Sequence, residues 1–196
     1  MTLAIVDAGG ANIGSLRGAL SRLGVEASLT ADPATIRAAD KLILPGVGAA
    51  GAAMTRLREM NLINVLRAAT QPLLGICLGM QLLCEHSQED DTECLGLVPA
   101  PVKRLARKPG LRVPHMGWNR VTATAAHPLV ADLGPDEYVY FVHGYAVPVH
   151  GCTLAVAEHG GPFSAVIGTD RHFGMQFHPE RSGAAGANWL KRFLEL

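Results

Sequence analysis

The sequence predicts an α/β fold: a mostly parallel central sheet with helices on both faces, extended by a β-rich C-terminal half. Three observations predict it. Short apolar runs alternate with stretches of helical spacing through the first half, and turn clusters cut the second half into closely spaced β-rich runs. The 196 residues are 48% hydrophobic and 17% charged, which suits a large core and one domain spanning 1–196.

The elements follow in order. Leu3 to Val6 reads as a buried strand that Asp7-Ala8-Gly9-Gly10 ends. Asn12 is placed to cap a helix carrying Ile13, Leu16, Leu20 and Leu23 on one face, stopped by Gly24. Val25 to Leu29 reads as a second strand, and Asp32-Pro33 opens a short helix with cap and first-turn proline in place. Lys41 to Leu44 is a third strand, broken by Pro45-Gly46-Val47-Gly48. One helix is expected from about 51 to 69, through Met54, Leu57, Leu62, Val65 and Leu66. Pro72 to Ile76 is a fourth strand feeding directly into a helix over Leu78 to Leu83. Beyond it, β-rich runs span 111–124, 138–149, 153–158, 165–169 and 172–177, and a helix over about 185–196 closes the chain.

Composition removes several classes of function. Seventeen basic residues balance seventeen acidic ones, whereas a nucleic-acid surface needs excess cations. No run of 18 apolar residues suggests a membrane span, and the N-terminus reads as a strand, not a signal peptide. Cys77, Cys84, Cys94 and Cys152 form no C-x-x-C pair, and Cys94 and Cys152 share no metal spacing with a nearby histidine. The expectation is a cytoplasmic enzyme domain with no metal and no cofactor.

The sharpest motif is Gly75-Ile76-Cys77-Leu78-Gly79, set between strand and helix. A cysteine there stands on a tight turn, and the helix N-terminus favours thiolate over thiol. The Leu78 amide faces the place where an oxyanion would form. Taken alone, the motif fits a reactive elbow and a small core cysteine equally well. In Gly174-Met175-Gln176-Phe177-His178-Pro179-Glu180, Pro179 forces His178 extended, so His178 and Glu180 fall on one side, ~6.5–7 Å apart if the strand continues. That gap lets the carboxylate orient the imidazole, although a solvated His beside an unrelated Glu fits the same residues. Pro45 to Gly48 could supply a second oxyanion donor or be an ordinary turn; either way it lies at the carboxyl edge of the sheet, where ligands gather. The loop after Asp7 lacks a dinucleotide fingerprint. His115 and His143 flank aromatic runs as packed histidines unless the fold draws them into a site, Cys84 reads as core, and Glu89 to Glu93 reads as a solvated acidic loop.

With Gly75 to Gln81 and Phe177 to Glu180 in view, the chain resembles the class I (triad) glutamine amidotransferases. Pro45 to Gly48, Pro114 to Asn119 and Phe141 to Tyr145 are similar to the histidine-pathway branch, the glutaminase subunits of imidazole glycerol phosphate synthase. The resemblance implies a flavodoxin-like central sheet and a catalytic set of Cys77, His178 and Glu180. It also implies an oxyanion hole from the backbone of Leu78, Gly46 and Val47, and substrate contacts from Gly48, Gln81 and His143. The implied substrate is glutamine, and the implied partner is a (β/α)8-barrel cyclase in a heterodimer, with Asn12, Trp118 and the strand after Pro45 near the interface. The alternatives are a triad glutaminase of another pathway and a catalytically silent module of the same fold. The chain departs from the family's usual pattern at Ala8, Ala11, Ile13, Gly144 and Arg181, none of them in the triad.

Overall fold

The computed structural model describes residues 1–9, 13–131, 133–134 and 137–196. The expected capping residue Asn12 lies outside them. The first half runs β1 (Leu3–Val6), α1 (Ile13–Arg22), β2 (Ala27–Thr30), α2 (Pro33–Ala38), β3 (Lys41–Gly46), α3 (Ala50–Glu59), α4 (Ile63–Arg67), β4 (Leu73–Cys77) and α5 (Leu78–Leu83). The second half holds strands β5 (His86–Ser87), β6 (Thr92–Glu93), β7 (Pro101–Arg104), β8 (His115–Arg120), β9 (Thr122–Ala123), β10 (Tyr138–His143) and β11 (Tyr145–Ala146). It ends with β12 (Thr153–Glu158), β13 (Pro162–Gly168), β14 (His172–Met175) and α6 (Gly183–Glu195).

One eight-stranded sheet, ordered β2-β1-β3-β4-β14-β13-β12-β9, organises the molecule. Strands β2, β1, β3, β4 and β14 are parallel; β13, β12 and β9 continue antiparallel. Side chains alternate between two cores, as a two-residue period dictates. Leu3, Ile5, Ile43, Leu74 and Ile76 meet α1 and α6, while Ala4, Val6, Leu42, Leu44 and Leu73 meet α2 to α5. Smaller sheets, β10-β8 and β11-β7-β5-β6, form the β-rich addition.

Local chemistry explains the elements. Asp32 accepts the Thr35 amide at 2.8 Å as the α2 cap, with Pro33 in the first turn. The expected single helix over 51–69 is two: Asn61 at φ 57° interrupts it, a left-handed conformation that asparagine tolerates. The third strand does not stop at Leu44 but runs through Pro45 and Gly46. Pairing with β1 ends at Ile43, so the amide that Pro45 lacks is not missed on that side, while β4 pairs on to Cys77. The run expected from 111 becomes strand only at His115, and 145–149 contributes only Tyr145–Ala146. The second strand sits at Ala27–Thr30, shifted from 25–29 by its parallel register with Leu3 to Val6.

Candidate active site

Cys77 ends β4, and α5 begins at the next residue with no loop between. The turn forces Cys77 to φ 54°, ψ −112°, a strained conformation for a residue with a Cβ. Its cost is met by close packing that only glycine permits. A Cβ on Gly79 would lie 1.8 Å from the Leu44 carbonyl oxygen, and one on Gly75 would lie 2.5 Å from the Met80 amide nitrogen. The glycines on either side of the cysteine are therefore where helix α5 crosses the sheet. As first residue of α5, Leu78 has an amide without an intrahelical acceptor.

Two neighbouring strands complete the setting. Gly46 pairs with Cys77 across the β3–β4 register. On the other side β14 pairs with β4 in parallel through Met175–Ile76, which carries the chain on to His178 beside the elbow. The His178 amide donates to the Tyr140 carbonyl at 2.9 Å, and the Ser182 hydroxyl donates to the His178 carbonyl at 2.7 Å. His178 is extended as expected, but the chain then turns: Pro179–Arg181 is a 3-10 helix and not a continued strand. That turn brings the Glu180 carboxylate to 2.8 Å from Nδ1 of His178, both side chains almost fully buried.

Nδ1 therefore faces the carboxylate and Nε2 faces the cavity that Cys77 shares. Nε2 is buried without a hydrogen-bond partner of normal geometry, as catalytic hydrogen bonds often are before substrate arrives. Burial works against the charged ring, yet the Cys77 and Glu180 side chains outweigh it and push His178 up to about 10. The ring is thus an imidazolium at neutral pH, facing the sulfur.

The cavity, about 220 Å³, is lined by Val47, Gly48, Cys77, Leu78, Gln81, Glu89, Val142, His143, Gly144, Tyr145 and His178. Gly46 and Glu180 lie behind it, beside Val47 and His178. The nine site residues that the resemblance implies lie in this cavity or directly behind it, whereas Trp118 does not line it. A cavity of about 690 Å³ elsewhere, lined by Arg107, Lys108, Arg112 and His159 among others, holds none of them. Size favours it, but chemistry does not: it offers no nucleophile. Among the described residues, no group of three His, Cys, Asp or Glu is placed to hold a metal ion.

The placement of Glu89 and the hydrogen bonding of His143 were not legible in the sequence. Glu89 is not a solvated acid: the Glu89–Asp91 turn folds back so that its carboxylate accepts the Ala50 amide at the start of α3, at 2.8 Å, and faces the cavity. Burial pushes its carboxyl up. No local pattern distinguishes it from its acidic neighbours. His143, meanwhile, lines the cavity with both ring nitrogens engaged: Nδ1 lies 2.9 Å from the Tyr145 carbonyl and Nε2 lies 3.0 Å from Nδ1 of His115. Burial pushes His143 down to about 3, and burial with the nearby His159 pushes His115 down to about 4, so both rings are neutral.

A cysteine on a strained strand-to-helix elbow, facing a histidine gripped by a carboxylate, defines a class of protein: an α/β enzyme fold built to present a cysteine nucleophile to a base. The profile of the glutamine amidotransferase class-I family matches residues 4–196, and the chain belongs to that family. Within it, the chain is 53% identical over 194 residues to the imidazole glycerol phosphate synthase subunit HisH of Xanthomonas euvesicatoria pv. vesicatoria, covering 99% of this chain and 97% of that one. The HisH subunit of Xylella fastidiosa (strain Temecula1) is 52% identical with the same coverage. Among solved structures, one described as a glutamine amidotransferase superposes with a TM-score of 0.78 at 20% identity, covering 100% of this chain and 98% of that one. A putative GMP synthase subunit from Thermoplasma acidophilum gives 0.76 at 18%, covering 100% and 92%. These two likenesses concern the fold alone. No helix among the described residues is long and apolar enough to cross a membrane.

Proposed function

We propose that this chain is the glutaminase subunit of imidazole glycerol phosphate synthase. As one cytoplasmic amidotransferase domain in a heterodimer, it hydrolyses glutamine and passes ammonia to a (β/α)8-barrel cyclase. There the ammonia yields imidazole glycerol phosphate and an aminoimidazole carboxamide ribotide, in histidine biosynthesis. One observation carries the reading: a cysteine on a left-handed elbow shares a cavity with a carboxylate-gripped imidazole. The near full-length identity to HisH subunits chooses the pathway.

The chemistry follows from the geometry. Cys77, as thiolate, attacks the side-chain amide carbon of glutamine, and the carbonyl electron pair moves onto oxygen. The amide of Leu78 and those of the Gly46, Val47 and Gly48 segment receive that charge; one such donor is worth about 2.7–4 kcal/mol. The His178 imidazolium gives its proton to the departing nitrogen, so ammonia leaves and a γ-glutamyl thioester remains. Neutral His178 then takes a proton from water, whose oxygen attacks the thioester. Glutamate leaves, and the thiolate–imidazolium pair is restored. Glu180 holds Nδ1 throughout, fixing tautomer and orientation. At the far side, Glu89 supplies a carboxylate for the substrate ammonium, and Gly48, Gln81 and His143 frame the rest. A space of about 220 Å³ suits one small polar substrate, below the ~300–1,000 Å³ of larger ligand sites.

A diazo-ketone analogue of glutamine tests the chemistry. Mass spectrometry should find one adduct, on Cys77, and Cys77→Ser should abolish both adduct and glutamate release. An intact Cys77 after exposure would overturn the reading. Adding the cyclase with its ligand should raise glutamine turnover strongly; equal turnover with and without the partner would remove the coupling between subunits.

A further inference from the structure

Gln176 follows β14 and is fully buried, lining neither the cavity nor the triad. The parallel register that pairs Met175 with Ile76 sets Gln176 level with Cys77. Its side-chain nitrogen lies 3.8 Å from the Cys77 sulfur, within reach of an N–H···S hydrogen bond.

The orientation of this amide follows from an atom of unambiguous polarity. The Tyr145 carbonyl can only accept, and Gln81 approaches it at 2.8 Å, so Gln81 must present its NH₂ group there. The same nitrogen lies 3.0 Å from the side-chain oxygen of Gln176. Both Gln81 donors are then used, and Gln176 must turn its own NH₂ towards the sulfur. His143 Nδ1 also donates to the Tyr145 carbonyl, at 2.9 Å, because that oxygen has no proton to give. Flipping Gln81 would set oxygen against oxygen and strand a buried carbonyl lone pair. A backbone carbonyl thus dictates, through two glutamines, that the sulfur meets a donor.

The sulfur also lies 3.7 Å from the Val142 carbonyl. A thiol can donate to that oxygen; a thiolate is repelled by it. The Gln176 contact changes in the opposite sense, becoming charge-assisted when the sulfur ionises. Of the titratable groups on the cavity wall, the His178 imidazolium favours the thiolate, the Glu89 carboxylate opposes it, and His143 is neutral.

We propose that Gln176 is a positioning residue for glutamine hydrolysis: its side-chain N–H, aimed by Gln81 and the Tyr145 carbonyl, holds the Cys77 sulfur in its attacking place and form. The proposal rests on Cys77 being the nucleophile.

The test is the pH profile of Cys77 alkylation by iodoacetamide, followed by mass spectrometry on the full chain, with kcat and KM for glutamine measured on the complex with the cyclase. Gln176→Met keeps the volume and removes the donor. Its half-maximal alkylation should move about one pH unit upward, the effect of one ordinary hydrogen bond to an ionised group. Alkylation at pH values below the wild-type midpoint should fall ~10-fold and kcat should fall, with KM unchanged within about twofold because Gln176 does not touch the cavity. Should Gln176→Met fail to fold, the isosteric Gln176→Glu carries the test and should move the half-maximal alkylation upward by at least as much. A folded variant whose profile superposes on that of the wild type overturns the role of Gln176 alone. A wild-type protein whose Cys77 takes no label overturns the nucleophile as well.

Discussion

His178, His143 and His115 share one corner of the molecule and titrate in opposite directions because of their different partners. His178 is raised from 6.5 to about 10, so it binds a proton more tightly folded than unfolded. Its stabilisation is complete below pH 6.5 and is lost as pH rises through about 10. His143 and His115 are lowered to about 3 and about 4 by burial, so they resist protonation in the fold. Their stabilisation is present above pH 6.5 and is lost as pH falls through those values. The melting temperature should therefore decline on both sides of a maximum near neutrality, and His178→Gln should flatten the alkaline limb while leaving the acid limb. Thermal denaturation followed by circular dichroism between pH 4 and pH 10 reads both.

At the scale of elements, the elbow depends on how closely α5 lies over β3 and β4. Gly79→Ala forces a methyl into the Leu44 carbonyl, a backbone atom that cannot swing aside as a flexible side chain can. It should cost about 2–3 kcal/mol, at the upper end for overpacking, and should displace Cys77. Gly14 provides the contrast. It sits in α1 with open space where a Cβ would go, so Gly14→Ala should stabilise by about 0.5–1 kcal/mol. Urea unfolding of the two variants distinguishes steric necessity from mere presence of glycine. If Gly79→Ala unfolds like the wild type, the close-approach account of the motif is wrong.

At the scale of the whole molecule, strand β8 turns large apolar side chains away from the core. Trp118 and Met116, 56% and 65% exposed, project from β8, whose neighbours His115 and Asn119 turn inward towards Phe141 and Glu158. Exposed aromatic and methionine side chains of this kind anchor interfaces. Trp118→Ala should weaken association with the cyclase ~10-fold or more while shifting the melting temperature of the isolated chain by less than about 1 °C. Isothermal titration of the two subunits measures the first, calorimetry of the free chain the second. Unchanged affinity would move the interface away from this face.

Much of this was legible in the chain itself, for a physical reason: strand–helix alternation, the Asp32 cap, the glycine-flanked cysteine and the proline-fixed histidine are short-range features, governed by sterics and periodicity within a few residues. The two halves of the candidate site were therefore visible separately, at Cys77 and at His178 to Glu180. Their meeting was implied only by the family resemblance and not by the spacing of the residues, because it depends on β14 entering the sheet in parallel beside β4, a choice made by burial summed over many strands. The same holds for Glu89, which differs from its acidic neighbours only by a long-range turn against α3, and for Gln176, whose donor orientation is set by a carbonyl thirty-one residues upstream. Sequence determined which groups could react; the packing of the sheet decided which of them stand within reach of one another.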